Sequence, residues 1–134
     1  MTGTVLFSEK LLAVFTPGPR GVVGLVDDLL AACRDNKVRL DFQDGYCRIT
    51  SLSSGGRDAI EIPLQKSVFR AILARVAALC NERVPNSVTP YRGVGELVAL
   101  TDPPATFRVS FINNPDEQHL KVVHIGTGDV TGDT

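Results

Sequence analysis

A chain of 134 residues, 43% hydrophobic and 22% charged, has room for one compact core and too little length for a second domain. Its 14 basic and 15 acidic residues leave a formal charge of -1, which creates no long-range field toward nucleic acid or an anionic membrane, and no basic run supplies a local one. No stretch approaches the roughly 20 apolar residues of a bilayer span. The opening, MTGTVLFSEKLLAVFTPGP, is broken by Glu9 and Lys10 where a secretion signal keeps its apolar run intact, so the expectation is a cytoplasmic protein without membrane insertion.

Residues 1–21 read as an N-terminal arm. Thr4 to Phe7 and Leu11 to Phe15 are apolar but fit neither period, and Thr16-Pro17-Gly18-Pro19 stops regular structure because two prolines remove donors and restrict their predecessors. From Val22 to Arg34 the residues Val22, Val23, Leu25, Val26, Leu29, Leu30 and Cys33 fall on one helical face, opposite Asp27, Asp28 and Arg34. Val38, Leu40 and Phe42 then alternate with Arg39 and Asp41, the period of a half-buried strand. Asp44-Gly45 predicts a tight hairpin, which pairs Tyr46 to Leu52 back antiparallel with Cys47 and Ile49 facing the core. Ser53 to Gly56 is a loop, and Ala59 to Ile62 a short strand closed by Pro63.

Ser67 to Arg83 is the strongest element. Val68, Phe69, Ile72, Leu73, Val76, Leu79 and Cys80 make one continuous apolar stripe, four alanines raise helix propensity, and Ser67 is the expected N-cap. Val84 to Pro90 reads as an exposed connection. Strands follow at Gly95 to Leu100, Thr106 to Ile112 and His119 to Ile125, separated by turns at Thr101 to Pro104 and Asn113 to Glu117. Residues 126–134 carry too little apolar surface to be held down and read as a flexible tail. The expected architecture is α+β, residues 22–125 forming one domain in which a mostly antiparallel sheet of about five strands packs against two amphipathic helices.

The chemistry-bearing residues form no catalytic set. Cys33, Cys47 and Cys80 are odd in number, lack CxxC spacing and sit inside apolar patterns, as buried reduced thiols do. The glycines of the tail lack the lysine and spacing of a phosphate loop. His119 and His124 are five apart on a strand and so point to opposite faces, which denies them a shared metal. No GxSxG elbow is present, Asp27 and Asp28 point apart on a helix as a solvated face, and Arg20 to Gly24 has GxxG spacing without the flanking helices of a KH clamp. These patterns predict a non-enzyme with no cofactor or metal.

The order of elements resembles the second N-terminal domain of the type II secretion and type IV pilus assembly ATPases over roughly residues 22–125. Lys37 to Phe42 keeps the alternation of that family's Asp-Ile-His-Ile-Glu-Pro strand without its histidine and proline. Ile72-Leu73-Ala74-Arg75-Val76-Ala77 matches its Ile-Leu-Ser-Arg-Ile-Lys helix core with the arginine and without the lysine. Pro90 to Val94 stands at its Pro-Gln-Asp-Gly-Arg turn, Arg108-Val109-Ser110 matches its Arg-Val-Ser strand residue for residue, and Lys121-Val122-Val123 its closing strand. The resemblance implies contact with nucleotide or a partner through Arg75 and Arg108, whereas Ala77, Val88 and Val94 stand where basic residues are expected. It implies an interaction or regulatory domain that lacks the motor and docks on a motor ATPase or another secretion or pilus assembly component. The alternative from the residues alone is a small-ligand-sensing module, with the ligand between sheet and long helix.

Overall fold

The computed structural model describes residues 14–15, 21–34, 36–52, 58–99 and 103–127. Two helices and six strands alternate as two helix-plus-three-strand halves: α1 (Gly21–Ala32), β1 (Lys37–Gln43), β2 (Tyr46–Ser51), β3 (Asp58–Pro63), α2 (Lys66–Arg83), β4 (Arg92–Ala99), β5 (Ala105–Asn113) and β6 (Gln118–Thr127). The strands form one sheet in the order β3-β2-β1-β6-β5-β4, every neighbouring pair antiparallel. Each half is a meander, and pairing of β1 with β6 joins the halves in the middle of the sheet. The α+β class is as expected, with six strands rather than about five, since all six segments read as strands enter the one sheet.

Side chains alternate along each strand, so the registers assign every residue to a face. Val38, Leu40, Cys47, Ile49, Ile62, Leu97, Phe107, Val109, Phe111, Leu120 and Val122 share one face and are buried. Helix α2 lays Phe69, Ile72, Leu73, Val76, Ala77 and Cys80 on that face, and α1 adds Val26, Leu29 and Leu30 beside it. The stripe read from the sequence is therefore the core, with Val68 and Leu79 at its half-buried margins. Val14 also joins the core. Phe15 packs against it, and Gly21 of the proposed arm is the first residue of α1, while residues 1–13 and 16–20, the Ser53 to Gly56 loop and residues 128–134 of the tail lie outside the described residues.

The hairpin at Asp44-Gly45 is as predicted, with both residues at positive φ, 53° and 83°, the pair of left-handed conformations a two-residue turn of this hand requires. Four expectations are corrected. Gln65, not Ser67, caps α2, and its carbonyl accepts from the N–H groups of Val68 and Phe69 at 3.0 and 3.1 Å. Strand β4 begins at Arg92, three residues before the expected start, so three of the five residues from Pro90 to Val94 are strand rather than turn. The connection from Val84 to Pro90 is not wholly exposed, since Val88 is buried over Gly93 and Gly95, whose missing side chains leave it room. Strand β6 runs on through Gly126 and Thr127, past the predicted start of the tail.

Candidate functional site on the uncovered face of the sheet

No described element packs on the face opposite the helices. The registers line up its side chains in three rows across the sheet. One row reads Glu61, Arg48, Asp41, His119, Ile112, Arg92, the next Ala59, Thr50, Arg39, Lys121, Ser110, Val94, and the third Lys37, Val123, Arg108, Glu96. These rows hold six cations against three carboxylates, a balance of +3. Subtracted from 14 basic and 15 acidic residues, that leaves eight against twelve, or -4, for the rest of the chain. Among the described residues outside these rows, five cations stand against seven carboxylates, so the near-zero total conceals an excess of positive charge on this face.

Part of this charge is paired locally. Arg39 meets Asp41 at 3.0 Å on its own strand, Arg48 meets Glu61 at 3.2 Å, and Arg108 meets Glu96 at 3.2 Å. Each pair is well exposed, which limits it to about 0–1 kcal/mol. Lys121 has no carboxylate partner among the described residues and stands directly across from Arg39 in the β1–β6 ladder. Like charges in that position destabilise a sheet. Between Lys121 and Arg108 lies a shallow depression of about 260 Å3 with Val94, Ser110 and Val123 on its walls. Val94 is 68% exposed, the largest value among the exposed large apolar residues described.

The two arginines singled out by the sequence do not come together. Arg108 stands on β5 in this depression, while Arg75 lies on α2 in a separate groove of about 410 Å3 with Leu79, Glu82, Arg83, Val98 and Asp27. Each has its own carboxylate, Glu96 for Arg108 and Glu82 for Arg75, the latter at 3.7 Å. Asp27, read as part of a solvated face, also borders that groove. The histidines do point to opposite faces: His119 joins the uncovered face and meets Glu117 at 3.1 Å, and His124 lies against Phe107 with ring centroids 5.2 Å apart. Lys121 and Arg39 were missed as a site because only the pairing of distant strands makes them neighbours.

All three thiols are buried. Burial pushes Cys33 from 9.0 up to about 12; burial and then the Asp41 charge do the same to Cys47; burial raises Cys80 to about 11. Protonated thiols are poor nucleophiles at neutral pH. A folded-state value above the unfolded one contributes stability that is complete below the unfolded value and drains away as pH rises through the folded one. Urea midpoints are therefore expected to fall between about pH 9 and 12, and Cys33→Ala to fall less steeply than the parent chain over that window. An equal slope in the two proteins would contradict the assignment.

Among the described residues no three of His, Cys, Asp and Glu gather as a metal-binding group, and no described helix is long and apolar enough to cross a membrane. No known protein-family model matches the chain, and no curated protein matches it.

Proposed function

We propose that the chain is a non-catalytic interaction domain that holds an acidic protein partner against the uncovered face of its sheet. The observation that carries this reading is the concentration of +3 on one face of a chain whose remainder is -4, with Lys121 and Arg39 kept opposite each other at a cost to stability. A partner carboxylate set between them removes that cost, and Val94 and Val123 offer apolar contact in the same place. Single-stranded nucleic acid fits less well, since it is held by stacking on successive aromatic side chains, and among the described residues the strand registers put one aromatic on this face, Tyr46 of β2, four strands away from Val94. The resemblance to secretion and pilus ATPase domains narrows the partner to a motor ATPase or another component of such a machine, acting in its assembly or regulation with no ATP turnover by this chain.

A photo-crosslinking residue placed at Val94 tests the reading in cells. The expected product is a single crosslinked protein with an acidic surface, its yield falling about tenfold when Arg39 and Lys121 are both changed to glutamate and falling with added salt. Crosslinking that is indifferent to both changes, or robust ATP hydrolysis by the purified chain, would overturn the proposal.

A further inference from the structure

Helix α2 carries a second charged surface that the sheet-face reading leaves unused. Arg75, Leu79, Glu82 and Arg83 are spaced i, i+4, i+7 and i+8, one face of a helix, and the helix rise puts the two arginines about 12 Å apart at Cα. Asp27 of α1 and Val98 of β4 close a groove of about 410 Å3 around them. That volume lies within the roughly 300–1,000 Å3 of small-molecule sites.

The charges in this groove are poorly mated. The Arg75 side chain is only 25% exposed, and its Nε is buried with no hydrogen-bond partner. The nearest carboxylate oxygen to its terminal nitrogens, on Glu82, is 3.7 Å away, too far for a good N–H···O bond. Arg83 stands 3.8 Å from Glu96, which is already held at 3.2 Å by Arg108. Asp27 makes no ion pair among the described residues. A buried donor without an acceptor is a standing cost that an incoming oxygen removes.

We propose that this groove binds a small zwitterion, an α-amino acid with an apolar side chain. Its carboxylate bridges Arg75 and Arg83, whose planar guanidinium groups match the two oxygens of a carboxylate. Its ammonium group lies between Asp27 and Glu82, and Glu82, 66% exposed, has the freedom to turn from Arg75 toward it. Leu79 and Val98 receive the side chain. The charge balance selects this class: two cations and two carboxylates make the groove neutral, which disfavours a phosphate ester and suits a ligand that is neutral overall with separated charges.

The test is an NMR titration of the nitrogen-15-labelled chain, following the Nε–Hε signals of Arg75 and Arg83. The probes are L-leucine, L-methionine, isovalerate as the carboxylate alone, isopentylamine as the ammonium alone, and inorganic phosphate. Expected is a saturable shift of both signals with L-leucine or L-methionine, about tenfold weaker binding of each single-charge analogue, and loss of the shift at Arg75 in Arg83→Gln. Isovalerate or phosphate binding as tightly as the amino acids would overturn the zwitterion, and no saturable shift with either amino acid would overturn the site. The groove does not depend on the sheet-face reading, so the Arg39→Glu, Lys121→Glu chain should titrate like the parent.

Discussion

Replacing Phe69 by alanine is expected to remove about 3–5 kcal/mol of folding stability, the range for truncating a fully enclosed aromatic side chain. Phe69 lies in the first turns of α2, is 0% exposed, and stacks on Phe42 of β1 with ring centroids 5.8 Å apart at an interplanar angle of 23°. It thus ties the crossing helix to a central strand of the sheet. Phe42 cannot follow into the vacated volume, because its backbone is held in β1 opposite Cys47 of β2. A domain of this size has about 5–15 kcal/mol in total, so the loss is a large fraction of it. Urea denaturation checks it: the midpoint should fall sharply with an unchanged slope. Phe69→Leu, which keeps most of the volume, should cost less than about half as much. A loss below about 1 kcal/mol for the alanine variant would mean that α2 does not organise the core.

What could be read before the structure was local. The stripe on α2 and the alternation in β1 are statements about three or four consecutive turns or residues, and period alone decides them. Asp44-Gly45 was legible for the same reason, since the turn's two positive φ values select those residue types wherever the chain ends up. Strand β4 was shortened because Gly93, three residues after Pro90, resembles a turn residue when the packing of Val88 above it is unseen.

The candidate site was illegible for a different reason. Arg39 and Lys121 are far apart in the chain and become neighbours only when β1 pairs with β6, a contact that joins the two halves and leaves no local signature. Their field is also hidden in a formal charge of -1, which sums the basic residues of this face with an acidic remainder of the sequence. Arg75 and Arg108 show the converse. Helical and strand periods place each on its own element, but neither period says that the elements carry them to separate cavities.

Gly93→Ala is the second large effect expected, at about 1–3 kcal/mol, the cost of overpacking a tight site. A Cβ on Gly93 would lie 2.6 Å from both Cβ and Cγ1 of Val88 and 3.2 Å from its Cα, well inside the roughly 3.5–4.0 Å of a relaxed carbon contact. Whether Val88 can yield decides the magnitude, and its backbone is clamped on both sides by one side chain. Val88 N–H donates to Asn81 Oδ1 at 3.1 Å, and Asn81 Nδ2 donates to the Val88 carbonyl at 3.2 Å. Ser87 Oγ holds the preceding residue to the Cys80 carbonyl at 3.1 Å. The connection is thus fixed to the end of α2, and the strain falls on the β4–α2 interface. Gly95→Ala should be milder, because there the nearest atom is the Cγ1 end of Val88 at 3.1 Å rather than its Cβ. A double-mutant cycle separates this clash from any change in strand propensity. Val88→Gly removes the obstructing Cβ, so Gly93→Ala should cost less in that background, with a coupling energy of about 0.5–3 kcal/mol. A Gly93→Ala chain as stable as the parent would show that residues 84–90 slide freely over β4, and the buried position of Val88 would then contribute nothing to holding the edge strand under α2.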